Sequence, residues 1–100
     1  MQAFYPERFE REMGCTEVEW LRWLPAAVGA HPLRIAPGEA VAELGEGARL
    51  VLRWSVEAPL VIALVRMPRL RVAFGFEGLD EARRQVFMRR FDLYMQRGGG

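Results

Sequence analysis

The chain has 100 residues, enough for one domain, with 51% hydrophobic residues and 11 aromatics to build a core. Its formal charge is +1, from 14 basic and 13 acidic residues. That balance excludes a strong whole-molecule attraction to nucleic acid or anionic membrane. Every basic residue is arginine, as a GC-rich genome would give, and single copies of Cys15, His31, Ser55 and Thr16 leave little chemical inventory. One cysteine excludes an internal disulfide and gives no sign of an oxidising compartment.

Residues 1–14 lack the basic and apolar regions of a secretory signal. The most apolar run, Ala58 to Val65, falls short of the roughly 20 residues a membrane span needs. Cytoplasmic residence without a membrane is the expectation.

Pro6 suits a first helical turn, and Phe9 and Met13, four apart, share one helical face. A short helix ending at Gly14 is expected there. Thr16 and Glu19 form the two ends of a capping box, opening a second helix that carries Trp20, Leu21, Trp23, Leu24 and Val28. Cys15 and Trp20 hold the two positions of a hydrophobic staple. Pro25 is expected to kink this helix or start a new turn.

From His31 the pattern changes. Leu33 to Ile35 alternates briefly, Pro37-Gly38 marks a turn, and 39–44 reads as a short strand whose place in the sheet stays open. Leu50, Leu52, Trp54 and Val56 alternate with Arg49, Val51, Arg53 and Ser55, the period of a half-buried strand. Leu60 to Met67 is apolar at nearly every position and predicts a central strand. Met67-Pro68-Arg69 predicts a turn. Leu70, Val72, Phe74 and Phe76 then alternate with Arg69, Arg71, Ala73 and Gly75. Asp80 is a good N-cap for a long helix to about Arg97, before a glycine tail, 98–100, expected to be disordered.

The expected fold is one α+β domain over 1–100: two N-terminal helices, three to four antiparallel strands in a meander, and a long C-terminal helix. The helices pack on one sheet face. That face holds Leu50, Leu52, Trp54, Leu60, Ile62, Leu64, Leu70, Val72, Phe74 and Phe76.

No catalytic constellation stands out. Ser55 lies outside any nucleophile elbow. Cys15 precedes a helix start, where the dipole favours a thiolate, but Glu17 and Glu19 oppose this. With one His and one Cys, no zinc spacing is present, and neither a metal nor another cofactor is expected. The glycine loops at 45–47 and 76–80 are poor phosphate cradles, since Glu46 in the first and Glu77, Asp80 and Glu81 at the second would repel an anion.

Two features exceed what a plain monomer needs. The second sheet face carries Arg49, Arg53, Arg69 and Arg71 around Val51, Val61, Ala63, Val65, Met67 and Ala73. Stacking aromatics, which an RNA-binding sheet would place there, fall on the other face. On the final helix the apolar arc covers over half the circumference, and Met88, Phe91 and Met95 must meet another helix or another chain. Arg83 and Arg90 lie on one side of that helix, suited to a carboxylate-bearing ligand, to Glu10 or Glu12, or to snorkelling. The sequence therefore points to a small non-enzymatic interaction module, homodimeric or bound to another protein. Its interaction residues would be Arg49, Arg53, Arg69, Arg71, Met88, Phe91 and Met95. The alternative is a carrier or sensor of an apolar or acidic small molecule.

Overall fold

In the computed structural model, residues 4–97 are described. The chain runs β1 (Arg8–Met13), α1 (Glu17–Val28), β2 (Leu33–Ala36), β3 (Glu39–Gly45), β4 (Ala48–Ile62), β5 (Val65–Glu77) and α2 (Glu81–Arg97). The five strands make one sheet in the order β1-β5-β4-β3-β2, and every neighbouring pair is antiparallel. β1 and β2 are its two edges, and α1 carries the chain from one edge to the other. The expected glycine tail, 98–100, lies outside the described residues.

The expected fold is corrected at its start and in its sheet. Among the described residues there are two helices, not three, and five strands rather than three or four. Residues 8–13 form a strand pairing with β5 from Arg8↔Gly75 to Met13↔Leu70. Phe9 and Met13 share a face at helical spacing, but four is also an even number, so a strand places them together equally well. Arg11 decides the matter. It sits between them on the inner side of the strand, half-buried, where a binary pattern calls for an apolar residue.

The apolar run from Leu60 to Met67 is not a central strand. β4 continues through Ala58-Pro59 to Ile62, the chain reverses at Ala63-Leu64, and β5 returns through Pro68. The run is therefore a hairpin tip, and the turn expected at Met67-Pro68-Arg69 is the interior of a strand.

α1 begins where its capping box places it. The Thr16 hydroxyl accepts from the Glu19 amide at 3.1 Å, and the Glu19 carboxylate accepts from the Thr16 amide at 2.9 Å. Cys15 and Trp20 are both buried beside it. Pro25 stays inside the helix on an exposed face, and the helix closes on Gly29, whose amide donates to the Pro25 carbonyl. α2 begins at Asp80, whose carboxylate accepts from the Arg83 amide at 2.9 Å.

Both helices cover the same face of the sheet. Trp20 meets Trp54 edge-on at 5.5 Å, Phe91 meets Phe74 at 5.6 Å, and Phe87 meets Phe76 at 5.9 Å. Much of the wide apolar arc of α2 is thereby covered: Met88, Phe91 and Met95 are buried in the core, while Val86 and Leu93 stay exposed. Arg84, also within that arc, is buried with its guanidinium donating to the carbonyls of Tyr5 and Leu79. The inward residues of β4 and β5 from Leu50 to Trp54 and Leu70 to Phe76 are buried as expected. Leu60, Ile62 and Leu64 are exposed instead. Among the described residues no helix is long and apolar enough to cross a membrane.

Candidate functional site

The sparse chemical inventory is scattered. Ser55 is exposed on the outer sheet face, and His31 is exposed beside Phe87, with ring centroids 6.1 Å apart. Cys15 is buried, and burial, followed by the charge of Glu19, pushes its thiol above the usual range. That disfavours the thiolate on which cysteine chemistry depends. Among the described residues no group of three His, Cys, Asp or Glu side chains could hold a metal ion.

The outer face of the sheet is a lattice of ion pairs. Arg49 meets Glu77 at 2.8 Å, Arg71 meets Glu57 at 3.1 Å and Glu10 at 3.4 Å, and Arg69 meets Glu12 at 3.4 Å. Arg53 with Glu39 and Arg34 with Glu43 extend the lattice across β3 to β2. The sequence pointed to the arginines Arg49, Arg53, Arg69 and Arg71 but not to their partners. A helical reading of residues 8–13 hides Glu10 and Glu12, whereas on β1 they alternate outward, within reach of Arg71 and Arg69. Exposed pairs of this kind add little stability. They mainly fix where the arginine stems lie. Between those stems is an open groove of about 480 Å³, floored by Val51, Ala73 and Gly75 and walled by Arg8, Arg49 and Arg53.

The second surface feature was hidden in the apolar run. β3 leaves β4 at Arg53, and β1 leaves β5 at Leu70. Beyond these points the two long strands continue alone as a ribbon to the Ala63-Leu64 turn. Five residues separate Leu70 from Val65, so the ribbon extends roughly 17 Å at about 3.3 Å per residue. It is an arm.

A bulge aims the side chains of this arm. Pairing steps from Glu57↔Arg69 to Leu60↔Met67, so β4 carries one residue more than β5 across the interval. Alternation along β5 puts Met67 and Val65 on the face of Arg69 and Arg71. Their cross-strand partners Leu60 and Ile62 join them there. Relative exposures are 42% for Leu60, 60% for Ile62, 58% for Val65 and 45% for Met67, and Leu64 at the tip is fully exposed. An aliphatic cluster thus continues the ion-paired face along the same strands. Pro59 and Pro68 each remove a backbone donor from the arm, which blunts it against edge-to-edge strand pairing.

The seven interaction residues expected from sequence divide. Arg49, Arg53, Arg69 and Arg71 share the outer face, while Met88, Phe91 and Met95 lie in the core. Leu60, Ile62 and Leu64 were missed as surface residues, because an apolar run ordinarily marks burial on both faces. The signal that could have exposed them is the pair Pro59 and Pro68 flanking the run, a spacing suited to a ribbon outside the sheet.

No protein-family model, curated protein or solved structure matches this chain. What it does must therefore be argued from the arm, the groove and their geometry.

Proposed function

We propose that this chain is a small non-enzymatic interaction module of the cytoplasm that works as a homodimer, each arm seated on the outer sheet face of the other copy. The observation that carries this reading is the aliphatic cluster of Leu60, Ile62, Leu64, Val65 and Met67, exposed on a ribbon that no other strand borders among the described residues. Contiguous exposed apolar surface of this kind marks interaction sites.

Three features favour a second copy as the occupant. The cluster carries no charge, and the groove on the same face has an apolar floor between arginine stems, the two carboxylates that also line it, Glu10 and Glu77, each being ion-paired to an arginine. Arm and groove also lie at opposite ends of one face, so a two-fold axis across the strands between them puts each arm over the partner's groove. Such a contact is isologous and closed, leaving no free arm to propagate a polymer. Finally, Gly75 to Leu64 spans roughly 36 Å at about 3.3 Å per residue, on a strip two to three strands wide. Its projected area is on the order of 500 Å². With side-chain relief this approaches the ~800 Å² per partner of a standard interface.

Covering each half-exposed aliphatic side chain is worth about 1 kcal/mol. Two arms then supply about 10 kcal/mol gross, the same order as the cost of association. The dimer is accordingly concentration-dependent and needs the groove as well as the arm. Light scattering across a concentration series tests this. A mass rising from 11.5 kDa to twice that value supports the proposal, and a fixed monomer mass at high concentration overturns it.

A further inference from the structure

The outer face and the far side of the molecule treat their arginines differently. Across the sheet, Arg49, Arg53, Arg69 and Arg71 each meet a carboxylate. Where α1 ends, Arg83 and Arg90 rise from one side of α2 beside an apolar cleft. Among the described residues Arg83 has a single ion pair, 3.9 Å from the exposed Glu46. Arg90 makes no ion pair among the described residues, and its one hydrogen bond there goes to the Ala26 carbonyl at 3.4 Å.

The cleft between the 28–31 turn and the first half of α2 measures about 340 Å³. That is within the range of small-molecule sites. Val28, Leu44, Leu79 and Phe87 supply an apolar interior, and no carboxylate lines it. The charged groups at its rim are Arg83 and Arg90, with His31 beside Phe87.

Arg90 is held in place. Its guanidinium lies over the Tyr94 ring, 4.4 Å from the centroid. On another side it rests against Gly29, where an added Cβ would fall 3.0 Å from Nε. Gly29 also has φ +85, which few other residues adopt. The missing side chain thus serves both the helix exit and the seat of the guanidinium. A planar donor fixed at the lip of an apolar cleft is suited to hydrogen bonding a carboxylate, and Arg83, seven residues earlier on the same helix side, adds a second cation.

We infer that this cleft binds a small anionic amphiphile, an apolar body of alkyl or aromatic character ending in a carboxylate. The apolar part fills the space between Val28, Leu44 and Phe87, and the carboxylate takes the donors of Arg90 and displaces Glu46 from Arg83. The site lies on the helical side, apart from arm and groove, and does not depend on the dimer.

The test is an amide ¹H–¹⁵N titration of the full chain with octanoate, with octanol and inorganic phosphate as separate probes. Saturable shifts with octanoate at Val28–His31 and Arg83–Phe87 are expected, with weaker binding of octanol and of phosphate. Arg83→Gln, at an exposed position that leaves the fold intact, weakens octanoate by about tenfold, as loss of one charge-assisted bond predicts. Repeating the titration on a Leu64→Glu chain gives the same shifts, which separates this site from the arm. No saturable shift at millimolar octanoate, equal binding of octanol or phosphate, an unaffected Arg83→Gln variant, or shifts mapping to 60–67 would each overturn the inference.

Discussion

Arg11 on the first strand and Asp92 on the last helix, 81 residues apart, share two hydrogen bonds of 2.6 and 2.9 Å. Their side chains are 17% and 14% exposed. The Arg11 guanidinium also lies 5.3–5.8 Å from the ring centroids of Tyr5, Phe9 and Phe74. This pair clamps the edge strand β1 to α2. Replacing Asp92 with Asn leaves the Arg11 charge sequestered without its counter-ion and should cost about 2–3 kcal/mol in urea denaturation. Arg11→Met keeps the aliphatic contact with the rings but leaves the Asp92 carboxylate without its counter-ion, so it should cost a similar amount. No loss in either variant would mean that the charge pair does not matter.

Tyr5 completes this cluster, donating to Asp92 at 2.8 Å. Burial, then the hydrogen bond to Asp92 and the charge of Asp92, raise its phenol above the ordinary 10.0, while Arg11 pulls the other way. The folded chain thus holds the phenolic proton more tightly than the unfolded one. The stability this confers is complete below about pH 10 and is lost as pH rises through the folded value. Urea midpoints measured from pH 8 to 11 should fall in the upper part of that range, and Tyr5→Phe should flatten the fall. An identical slope in Tyr5→Phe would assign the pH dependence elsewhere.

Cys15 gives a readout of folding. It is 2% exposed, with its thiol raised by burial and by Glu19. At pH 8 native protein should react with a thiol reagent at least about a hundredfold more slowly than urea-unfolded chain, since attack needs both access and thiolate. Comparable rates would show that the start of α1 opens readily.

The arm turn carries a local cost. Ala63 has φ +53, a region that disfavours any residue with a Cβ. Ala63→Gly should raise stability by a few tenths to about 1 kcal/mol, the relief of strain being offset by the greater entropy of glycine in the unfolded chain. A loss of stability in thermal melts would mean that the ribbon tolerates this turn without strain.

Much of the fold was legible because local chemistry and tertiary structure agree. The capping box at Thr16 and Glu19, the cap at Asp80 and the period-2 runs at 50–56 and 70–76 each settle one element. β1 was illegible because Arg11 faces inward, its charge answered by a residue on α2 that no local pattern connects to it. The arm was illegible for a different reason. A run of apolar residues reports only what water disfavours, and the chain turns at Ala63-Leu64 without the glycine or asparagine that usually marks a two-residue hairpin. The arginines of the outer face could be found by alternation, whereas Glu10 and Glu12 could be placed only once β1 was known to be a strand.

The central claim rests on the arm, and native mass spectrometry of wild-type chain beside Ile62→Glu and Leu64→Glu tests it most directly. Both positions are exposed, so both variants should keep the wild-type circular dichroism spectrum, and should melt as the wild type does at dilutions where it is monomeric. Wild type should show a dimer whose share grows with concentration, and each variant should be monomeric throughout. A dimer of equal strength in the variants, or a wild type that stays monomeric at every concentration, would contradict it.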